Sequence, residues 1–547
     1  MRKIPGDGAG VKGALGGIGL GGWGIGGGPV RPGTPLPFQP TLHIVRPGRA
    51  GERSGFRSDQ RIGGDGVKGE TALWWIRRDV RLRDNQALRG ALAHASTVIP
   101  VFILDPGILR SRYHVRAERR KAFLFRGLRL LDEALRQRGS RLIVREGAAA
   151  TALPILAQET KASAVFAEED YSPAARGRDG EIARQGVNLQ LAPGVSVRHP
   201  DEVRKADGGP YTVFTPFRRA WLALPLPSEG DLLPVPRSLP AVPGGLKSVA
   251  LPQLPLPEEF PPGEAEARRR LVRFASGGKA PIYEYGEGRN RLDWEGTSVL
   301  SPYLRFGMVS PREAVVRALQ AMAEAPGPAA RASAEVWLGE LIWREFYLAI
   351  LYHFPSVLKT AFNPALREIP WRTAPQDLEA WRDGRTGYPV VDAAMRQLRG
   401  IGWMHNRGRM IAASFLVKDL LIDWMQGEQY FMDQLVDGDP AANNGGWQWT
   451  AGVGTDAAPY FRIFNPVLQG QKFDPEGGYI RRFVPELGRV PDRYIHEPWR
   501  MSGAEQEAAG CLIGRDYPAP IVDRTRLRDR TLTAYRRSQE LARIVRE

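Results

Sequence analysis

Cysteine is almost absent from this chain of 547 residues, which has a single cysteine, Cys511. One cysteine cannot form an internal disulfide or a cysteine-rich zinc or iron–sulfur site. The seven histidines show no metal-ligand spacing. The Asp-x-Asp at 437–439 fails the calcium-loop template, because Ala441 and Ala442 stand where an oxygen ligand and a glycine belong. We therefore predict no metal site and a reduced, cytoplasmic protein.

Long apolar runs are also missing. No run of about 18 apolar residues exists, so the sequence predicts no membrane span. The first residues, MRKIPGDGAG, lack the apolar stretch and cleavage site of a secretion signal. No Gly-x-Gly-x-x-Gly follows the first predicted strand, which excludes the usual dinucleotide-binding fingerprint.

Positive charge, by contrast, is abundant. The formal net charge is +16, and the sequence pI is near 10.0. A polyanionic partner is expected, most simply nucleic acid. A merely basic soluble protein stays open as the alternative, because net charge says nothing of geometry.

The first 200 residues divide into two regions. Residues 1–70 hold 21 of the 62 glycines, and we expect a disordered Gly-rich extension or an upstream-extended reading frame. Residues 71–200 alternate short apolar runs with helical patterns, which predicts a doubly wound α/β domain with a parallel sheet. The predicted strands are 71–77, 97–104, 140–146 and 163–170, with a helix over 117–139.

The remaining chain is predicted to be a linker followed by an all-α domain. Residues 201–263 form the linker, stiffened by prolines over 222–262. Helical periodicity dominates 264–547, and ten of the 14 tryptophans follow residue 280, which indicates a large aromatic ligand or an electron path. The strongest helical segments are 264–274, 310–323, 333–354, 389–400 and 406–426.

Residues 436–466 are rich in Gly, Asn and Pro, a composition that favours a functional turn over a regular helix or strand. Core packing alone would explain one tryptophan here. Trp447 and Trp449, beside paired Asn and Gly residues, instead indicate a planar ligand that needs ring faces, edge hydrogen bonds and close backbone approach.

Three other segments carry ligand-binding patterns. In 295–307 a loop with hydroxyl side chains enters a helix, an arrangement that binds phosphate or simply caps the helix. In 337–347 the carboxyl of Glu340 shares one helix stripe with two tryptophans, with a Glu340–Arg344 ion pair as the alternative. In 402–410 an Asn and two Arg suit a phosphate or a nucleobase edge, or a solvated helix start.

Five long motifs stand out in the C-terminal half: WLGELIWREFY (337–347), GRTGYPVVDAAMRQL (384–398), GWMHNRGRM (402–410), DGDPAANNGGWQW (437–449) and TDAAPYFRIFNP (455–466). Together they closely resemble the photolyase/cryptochrome family, specifically the class I cyclobutane pyrimidine dimer DNA photolyases. The resemblance covers about 71–547 and implies an α/β antenna domain and a helical FAD-binding domain.

The activity that this resemblance implies is light-dependent DNA repair. Photoexcited reduced FAD would pass an electron to a flipped-out cyclobutane dimer, whose ring splits before the electron returns. The implied partner is UV-damaged DNA, double- or single-stranded, bound by a monomer without sequence preference. A cryptochrome-type photoreceptor without repair and a non-enzymatic nucleic-acid binder remain as alternatives.

The resemblance also implies roles for individual residues. Asn443 would face flavin N5, Asp437 would pair with Arg409 against the ring, and Glu340, if protonated, would donate to the dimer. The implied electron relay is Trp447, Trp424 and Trp371. The implied flavin-binding residues are Tyr285, Thr297, Ser298, Leu300, Ser301, Trp337, Arg344, Arg409, Asp437, Asp439 and Asn443. The implied dimer-binding residues are Glu340, Trp343, Asn406, Arg407, Met410 and Trp449.

Four positions depart from the family pattern or narrow the expected cofactor and substrate. Val299 stands where several relatives carry Arg or Gly. Ala174 and Ala175 replace the Asn-Glu of folate-binding relatives, which favours a deazaflavin, a flavin or an empty antenna site over methenyltetrahydrofolate. Asn406 replaces the second histidine of (6-4) enzymes, which favours cyclobutane dimers as substrate.

Overall fold

A computed structural model describes residues 70–255 and 259–544. The predicted disordered extension over 1–70 lies outside the described residues, apart from Glu70. Within these ranges, no helix is both long and apolar enough to cross a membrane. The same ranges contain no group of three or more His, Cys, Asp or Glu side chains placed to hold a metal ion.

Five parallel strands form one sheet. The strands are β1 (Thr71–Trp75), β2 (Thr97–Leu104), β3 (Ile143–Glu146), β4 (Ala162–Glu168) and β5 (Leu189–Ala192). Their order across the sheet is β3-β2-β1-β4-β5. Alternate residues of the central strand β1 face separate cores, so that Trp74 lies in one and Trp75 in the other. The parallel sheet predicted from the sequence is confirmed.

Helices cover both faces of this sheet. The helix predicted over 117–139 buries Leu128, Leu131 and Leu135 against one face of the sheet. Ile182, which lies on a different helix, packs against the opposite face. The helices are α1 (Gln86–His94), α2 (Pro106–Leu109), α3 (Glu118–Arg136), α4 (Ala149–Thr160) and α5 (Pro173–Arg184).

The predicted linker begins with a helix, α6 (Phe214–Ala223). Its buried Trp221 donates from Nε1 to Glu345 Oε2 at 2.7 Å, which joins it to the helical domain. Beyond α6 the chain runs along the α/β domain, where Leu239 N and Val249 N donate to the carbonyl oxygens of Arg138 and Val144. This proline-rich segment is therefore held against the α/β domain at several points.

The C-terminal part is helical, as predicted, and centres on the long helix α11. The helices are α7 (Glu264–Ala275), α8 (Tyr285–Gly288), α9 (Ser301–Arg305), α10 (Pro311–Ala323), α11 (Pro328–His353), α12 (Pro375–Asp383), α13 (Pro389–Ile401), α14 (Asn406–Ser414), α15 (Trp424–Gln434), α16 (Pro440–Ala451), α17 (Pro466–Phe473), α18 (Gly478–Phe483), α19 (Gly503–Ala509) and α20 (Arg524–Ile544).

Two local predictions are wrong. The helix predicted over 406–426 is broken: a π-helical turn at Phe415–Asp419 follows α14, Leu421 has a φ of +53°, and Asp423 starts α15 as its N-cap. The turn predicted over 436–466 contains α16 instead. Asp439 caps this helix through the backbone N–H groups of Ala441 and Ala442, and tertiary packing overrides the weak helix propensity of Asn and Gly.

Candidate active site

The start of α16 gathers polar groups from three helices. Asp437 is buried, and its Oδ2 accepts from Arg409 Nη2 at 2.8 Å and from Ser301 Oγ at 2.6 Å. Trp403 Nε1 also donates to Ser301 Oγ at 3.3 Å. The structure thus brings together three of the residues that the resemblance assigns to the flavin, including the Asp437–Arg409 pair.

Asp439 joins the two domains. Its Oδ2 accepts from Arg78 Nη2 of the α/β domain at 2.6 Å and lies 3.7 Å from Arg305 Nε. Burial raises the pKa of Asp439, but attraction to Arg78 and Arg305 outweighs it and lowers that pKa to about 2. Because this carboxylate also caps α16, the ion pair fixes the helix start against the α/β domain.

The loop before α9 holds the other hydroxyl residues. Thr297 and Ser298 are partly exposed, Leu300 is buried, and Pro302 follows in the first turn of the helix. Val299 has a φ of +48°, a conformation that is strained for a β-branched residue. Val299, where several relatives carry Arg or Gly, is therefore the most strained residue of this loop.

Two of the predicted flavin residues share one aromatic neighbour. Phe274 lies 5.8 Å from the ring of Tyr285 and 5.2 Å from that of Trp337, and both are buried. Arg344 instead reaches the α/β domain, donating to Val195 O at 2.8 Å. Burial, followed by the nearby Arg78, lowers the pKa of Arg344.

Asn443 lies on α16 and contacts α15. Its Nδ2 donates to the backbone oxygen of Glu428 at 3.0 Å and to Glu428 Oε1 at 3.3 Å. Glu428 is 1% exposed, and burial raises its pKa to about 7. No sequence pattern had singled out Glu428.

The three tryptophans of the implied relay differ in environment. Trp447 and Trp424 are buried, whereas Trp371 is partly exposed and lies 6.1 Å from the Tyr535 ring. Within the described part of the chain, the aromatic rings found beside Trp447 are those of Phe431 at 4.9 Å and Trp381 at 6.1 Å. No sequence pattern had singled out either residue, although Trp381 lies three positions before the motif at 384–398.

Glu340 on α11 does not form the ion pair with Arg344 that the sequence offered as an alternative. Glu340 Oε1 lies 2.7 Å from Arg289 Nη2, so its ion-pair partner is Arg289 and not Arg344. Trp343 stacks on Phe214 of α6, with centroids 3.7 Å apart and planes 8° from parallel. One face of the Trp343 ring is therefore covered by the segment between the domains.

The residues of the third motif line the start of α14. Asn406 is exposed, with Nδ2 3.8 Å from Met410 Sδ, and Arg407 Nη2 donates to Asn290 Oδ1 at 2.5 Å. His405 is buried and caps the helix, and burial followed by Arg407 and Arg409 lowers its pKa to about 4. His405 is thus a structural cap rather than part of a solvated helix start.

Helices α11 and α16 pack closely where Gly445 meets Tyr347. A Cβ at Gly445 would overlap the Tyr347 ring, so only glycine permits this approach. Trp343 lies one turn before Tyr347, and Trp449 lies one turn after Gly445, where it is partly buried. The packing therefore draws together the helices that carry Glu340, Trp343 and Trp449.

Several buried polar atoms around this site have no hydrogen-bond partner among the described residues. They include Asp437 Oδ1, Trp447 Nε1 and His405 Nε2. Buried polar groups are usually satisfied, so Asp437 Oδ1, on the carboxylate that also contacts Arg409 and Ser301, is available to a polar ligand. The charged pair, the hydroxyl loop and the buried aromatic rings fit the ring, phosphates and adenine of a flavin dinucleotide.

The fold and the site define a two-domain protein with a parallel-sheet domain and a helical flavin-binding domain. A family model described as DNA photolyase matches residues 72–238, and one described as the FAD binding domain of DNA photolyase matches residues 337–537. The chain belongs to the DNA photolyase family.

Relatives cover most of the chain. The deoxyribodipyrimidine photo-lyase of Escherichia coli is 41% identical over 480 residues, 85% of this chain and 98% of the relative. The crystal structure of a bacterial class III photolyase from Agrobacterium tumefaciens has a TM-score of 0.80 at 36% identity and covers 88% of this chain and 100% of that one. A Synechocystis cryptochrome structure has a TM-score of 0.77 at 30% identity, covering 86% and 99%.

Proposed function

We infer that this chain is a light-dependent DNA-repair enzyme, a deoxyribodipyrimidine photo-lyase. We propose that it is a class I photolyase and that cyclobutane pyrimidine dimers are its substrate. The observation that carries this proposal is the packing of α11 on α16. It brings the Glu340–Trp343 stripe to the helix that carries Asn443 and Trp449. A protein that only bound nucleic acid would not need this combination of a carboxyl, ring faces and a flavin-binding helix.

The helical domain would hold FAD through the groups at the start of α16. We propose that Asp437 and Arg409 bind one edge of the ring, that Asn443 faces N5, and that Asp439 orders the helix start. Bound FAD supplies the electron that light drives into the dimer and that returns after the ring splits. The residues proposed for its phosphates, ribityl chain and adenine are Tyr285, Thr297, Ser298, Leu300, Ser301, Trp337 and Arg344.

The dimer pocket would lie on the outer side of α11. Trp343 would offer one ring face and Trp449 the opposite wall. Extruding the dimer from the duplex costs less for a damaged base that is already poorly paired, and stacking on these rings offsets part of that cost. Glu340 is ion-paired with Arg289 in the free protein. We propose that Arg289 turns to a DNA phosphate when the lesion enters, which frees Glu340, if protonated, to donate a hydrogen bond to the dimer.

The remaining polar contacts of the pocket come from α14. Asn406, Arg407 and Met410 follow one another within a little more than one helical turn and would border the flipped-out bases. Burial lowers the pKa of Arg407 to about 10, which still leaves its guanidinium charged at neutral pH. The net charge of +16 then suits sequence-independent binding of the phosphate backbone by a monomer.

For the relay we propose the order Trp447, Trp424 and Trp371. This order runs from the buried ring of Trp447 on α16 to the partly exposed ring of Trp371. Gly427 of α15 supports the inner step, because any side chain there would overlap the Trp447 ring. Electrons would then enter at Trp371 and reach the flavin site through Trp447.

For the second chromophore we propose a deazaflavin or a flavin rather than methenyltetrahydrofolate. The start of α5 carries the small side chains of Ala174 and Ala175 and offers no carboxylate there. Next to them, Arg176 stacks over the Tyr352 ring of α11 at 4.2 Å, which closes part of the groove between the domains.

Photorepair by the purified, photoreduced protein tests the proposal. A single-stranded oligonucleotide with one thymine dimer should lose the lesion only in light. Glu340→Ala should slow repair about tenfold, the value of one hydrogen bond to a charged group. Glu335→Gln, on the same helix but exposed and paired with Arg218, is the matched control and should leave repair unchanged.

A cryptochrome-type photoreceptor is the second candidate, because a cryptochrome shares the fold at 30% identity. A receptor needs the flavin site but not the dimer pocket. Bound FAD with no light-dependent repair would therefore discard the enzyme and favour the receptor.

A further inference from the structure

Among the described residues, Trp294 is the one tryptophan whose side chain is exposed, with 43% of its surface open to solvent. Single exposed apolar residues are common on protein surfaces, so exposure alone does not indicate a ligand. The indole of Trp294 is, however, also held in place by its neighbours, and it lies beside the proposed dimer pocket.

The side chains of Arg291 and Asp293 support one face of the indole. The Arg291 guanidinium lies 4.5 Å from the centroid of the Trp294 ring. Its Nε and Nη2 donate to the two carboxylate oxygens of Asp293 at 2.8 and 2.5 Å. Because this bidentate pair uses the charge of Arg291 internally, the guanidinium supplies a flat support for the ring and not a phosphate contact. The exposed area of the indole therefore lies away from Arg291.

The loop that carries Trp294, residues 288–296, closes on itself. A Cβ at Gly296 would lie 2.6 Å from the backbone oxygen of Gly288, so only glycine permits this approach. A Cβ at Gly288 would lie 3.8 Å from Cε3 of Trp294. The edge of the indole thus rests against the residue that precedes Arg289.

The same loop contacts two residues of the proposed dimer pocket. Arg289 pairs with Glu340 at 2.7 Å, and Asn290 Oδ1 accepts from Arg407 Nη2 at 2.5 Å. Five residues of extended chain span about 17 Å at most, so the backbone of Trp294 lies no farther than that from Arg289. Since a DNA strand rises about 3.4 Å per nucleotide, the indole can meet only bases a few nucleotides from the lesion.

We propose that Trp294 is a stacking platform for an unpaired nucleobase of the lesion-bearing strand, a few nucleotides from the dimer, and that it favours single-stranded over double-stranded substrate. This inference rests on the proposed function. Aromatic rings stack on any base, because every base has a ring face. In a duplex the bases beside the lesion are paired and stacked on one another, so their faces are closed to the indole.

Equilibrium binding in the dark tests the proposal with the FAD-loaded protein and a fluorescein-labelled oligonucleotide that bears one thymine dimer. Trp294→Ala should weaken binding of the single strand about tenfold, the value of one base–aromatic stack, and binding of the duplex less than about twofold. Trp294→Phe should keep most of the affinity, because a ring face remains. Ile155→Ala, exposed on α4, is the control and should change neither affinity. Equal losses on the two substrates, or none, overturn the proposal.

Salt dependence separates stacking from charge. Trp294→Ala should lower the affinity for the single strand without changing the slope of log K against log salt concentration. Arg289→Gln, which removes the proposed phosphate contact, should make that slope shallower by about 0.7. A shallower slope in Trp294→Ala would show that the loop acts through a phosphate, which contradicts stacking.

A fluorescent base locates the contact. 2-Aminopurine, placed in turn at successive positions on either side of the dimer in the single strand, should lose fluorescence at one position when the wild-type protein binds. That quenching should disappear in Trp294→Ala and persist in Trp294→Phe. Quenching that is the same in the wild type and in Trp294→Ala at every position contradicts the platform.

The outcomes separate this inference from the proposed function. If the wild type repairs dimers but Trp294→Ala keeps its affinity for the single strand, the platform fails and the function stands. If the wild type binds a dimer no better than an undamaged strand, the proposed function fails, while the affinities of both proteins for the undamaged strand still report on Trp294. Loss of FAD from Trp294→Ala would assign the ring to the flavin site and overturn the platform.

Discussion

Two buried polar regions of this molecule are built in opposite ways. At the carboxyl ends of the sheet, each charge meets its opposite: Arg81 pairs with Glu168, and Arg77 with Asp179. There both oxygens of Glu168 and of Asp179 accept from these arginines, although Nε of Arg77 and of Arg81 has no partner among the described residues. At the start of α16, the buried Asp437 Oδ1 has no partner among the described residues. The first region pairs its carboxylates internally, whereas the second leaves a carboxylate oxygen available to a ligand, which supports the site that the motifs indicate.

Breaking the Arg81–Glu168 pair should have the largest effect. Arg81→Met leaves Glu168 buried and uncompensated, since both side chains are at most 1% exposed, and should cost about 3–5 kcal/mol of unfolding free energy. Urea unfolding followed by circular dichroism measures the loss. Adding Glu168→Gln should recover most of it.

A surface pair provides the control for that prediction. Arg145 and Glu159 form a similar contact, but they are 19% and 37% exposed, so Arg145→Met should cost less than about 1 kcal/mol. Equal losses of unfolding free energy in Arg81→Met and Arg145→Met would show that burial does not make the Arg81–Glu168 pair more important for stability than a surface pair.

Much of the fold could be predicted because its elements have strong periodic patterns. The strand over 97–104 was placed correctly to the residue, since its eight residues are mostly apolar and β-branched or aromatic and stand between turn signals. α16 was missed because its stability comes from the Asp439 cap and from Gly445 packing on Tyr347, and neither contact is local in sequence. β5 was missed because its short LQLA segment carries no β-branched or aromatic residue.

The sequence predicted only those residues of the candidate site that match the family pattern. The resemblance named Asp437 and Arg409, which the structure pairs at 2.8 Å. It could not supply Arg78, Arg289 or Glu428, because these residues acquire their importance from partners between about 15 and 360 positions away in the chain. The flavin and dimer roles of the named residues remain predictions.

Acid titration of Asp439 should have a smaller effect and sharpens the contrast between the regions. Its pKa is about 2 in the folded protein against 3.8 in the unfolded chain, so the carboxylate contributes stability above pH 4 that is lost as the pH falls to about 2. Asp439→Asn should cost about 2 kcal/mol at neutral pH. The difference between the two proteins should shrink between pH 4 and pH 2, and a constant difference would show that the charge of Asp439 does not act through Arg78.

The smallest expected effect concerns a hydroxyl of the ligand-binding region. Ser301 donates to Asp437 at 2.6 Å while Arg409 donates to the same oxygen, so Ser301 helps to hold that carboxylate in one orientation. Ser301→Ala should weaken FAD binding by about 1 kcal/mol, a roughly fivefold rise in Kd in a fluorescence titration of the apoprotein, and leave the urea midpoint almost unchanged. Exposed Ser356 is the matched control as Ser356→Ala. If Ser301→Ala lowered the urea midpoint but left the affinity for FAD unchanged, Ser301 would have a structural role like that of the ion pairs beside the sheet. The distinction between the two regions would then fail at this position.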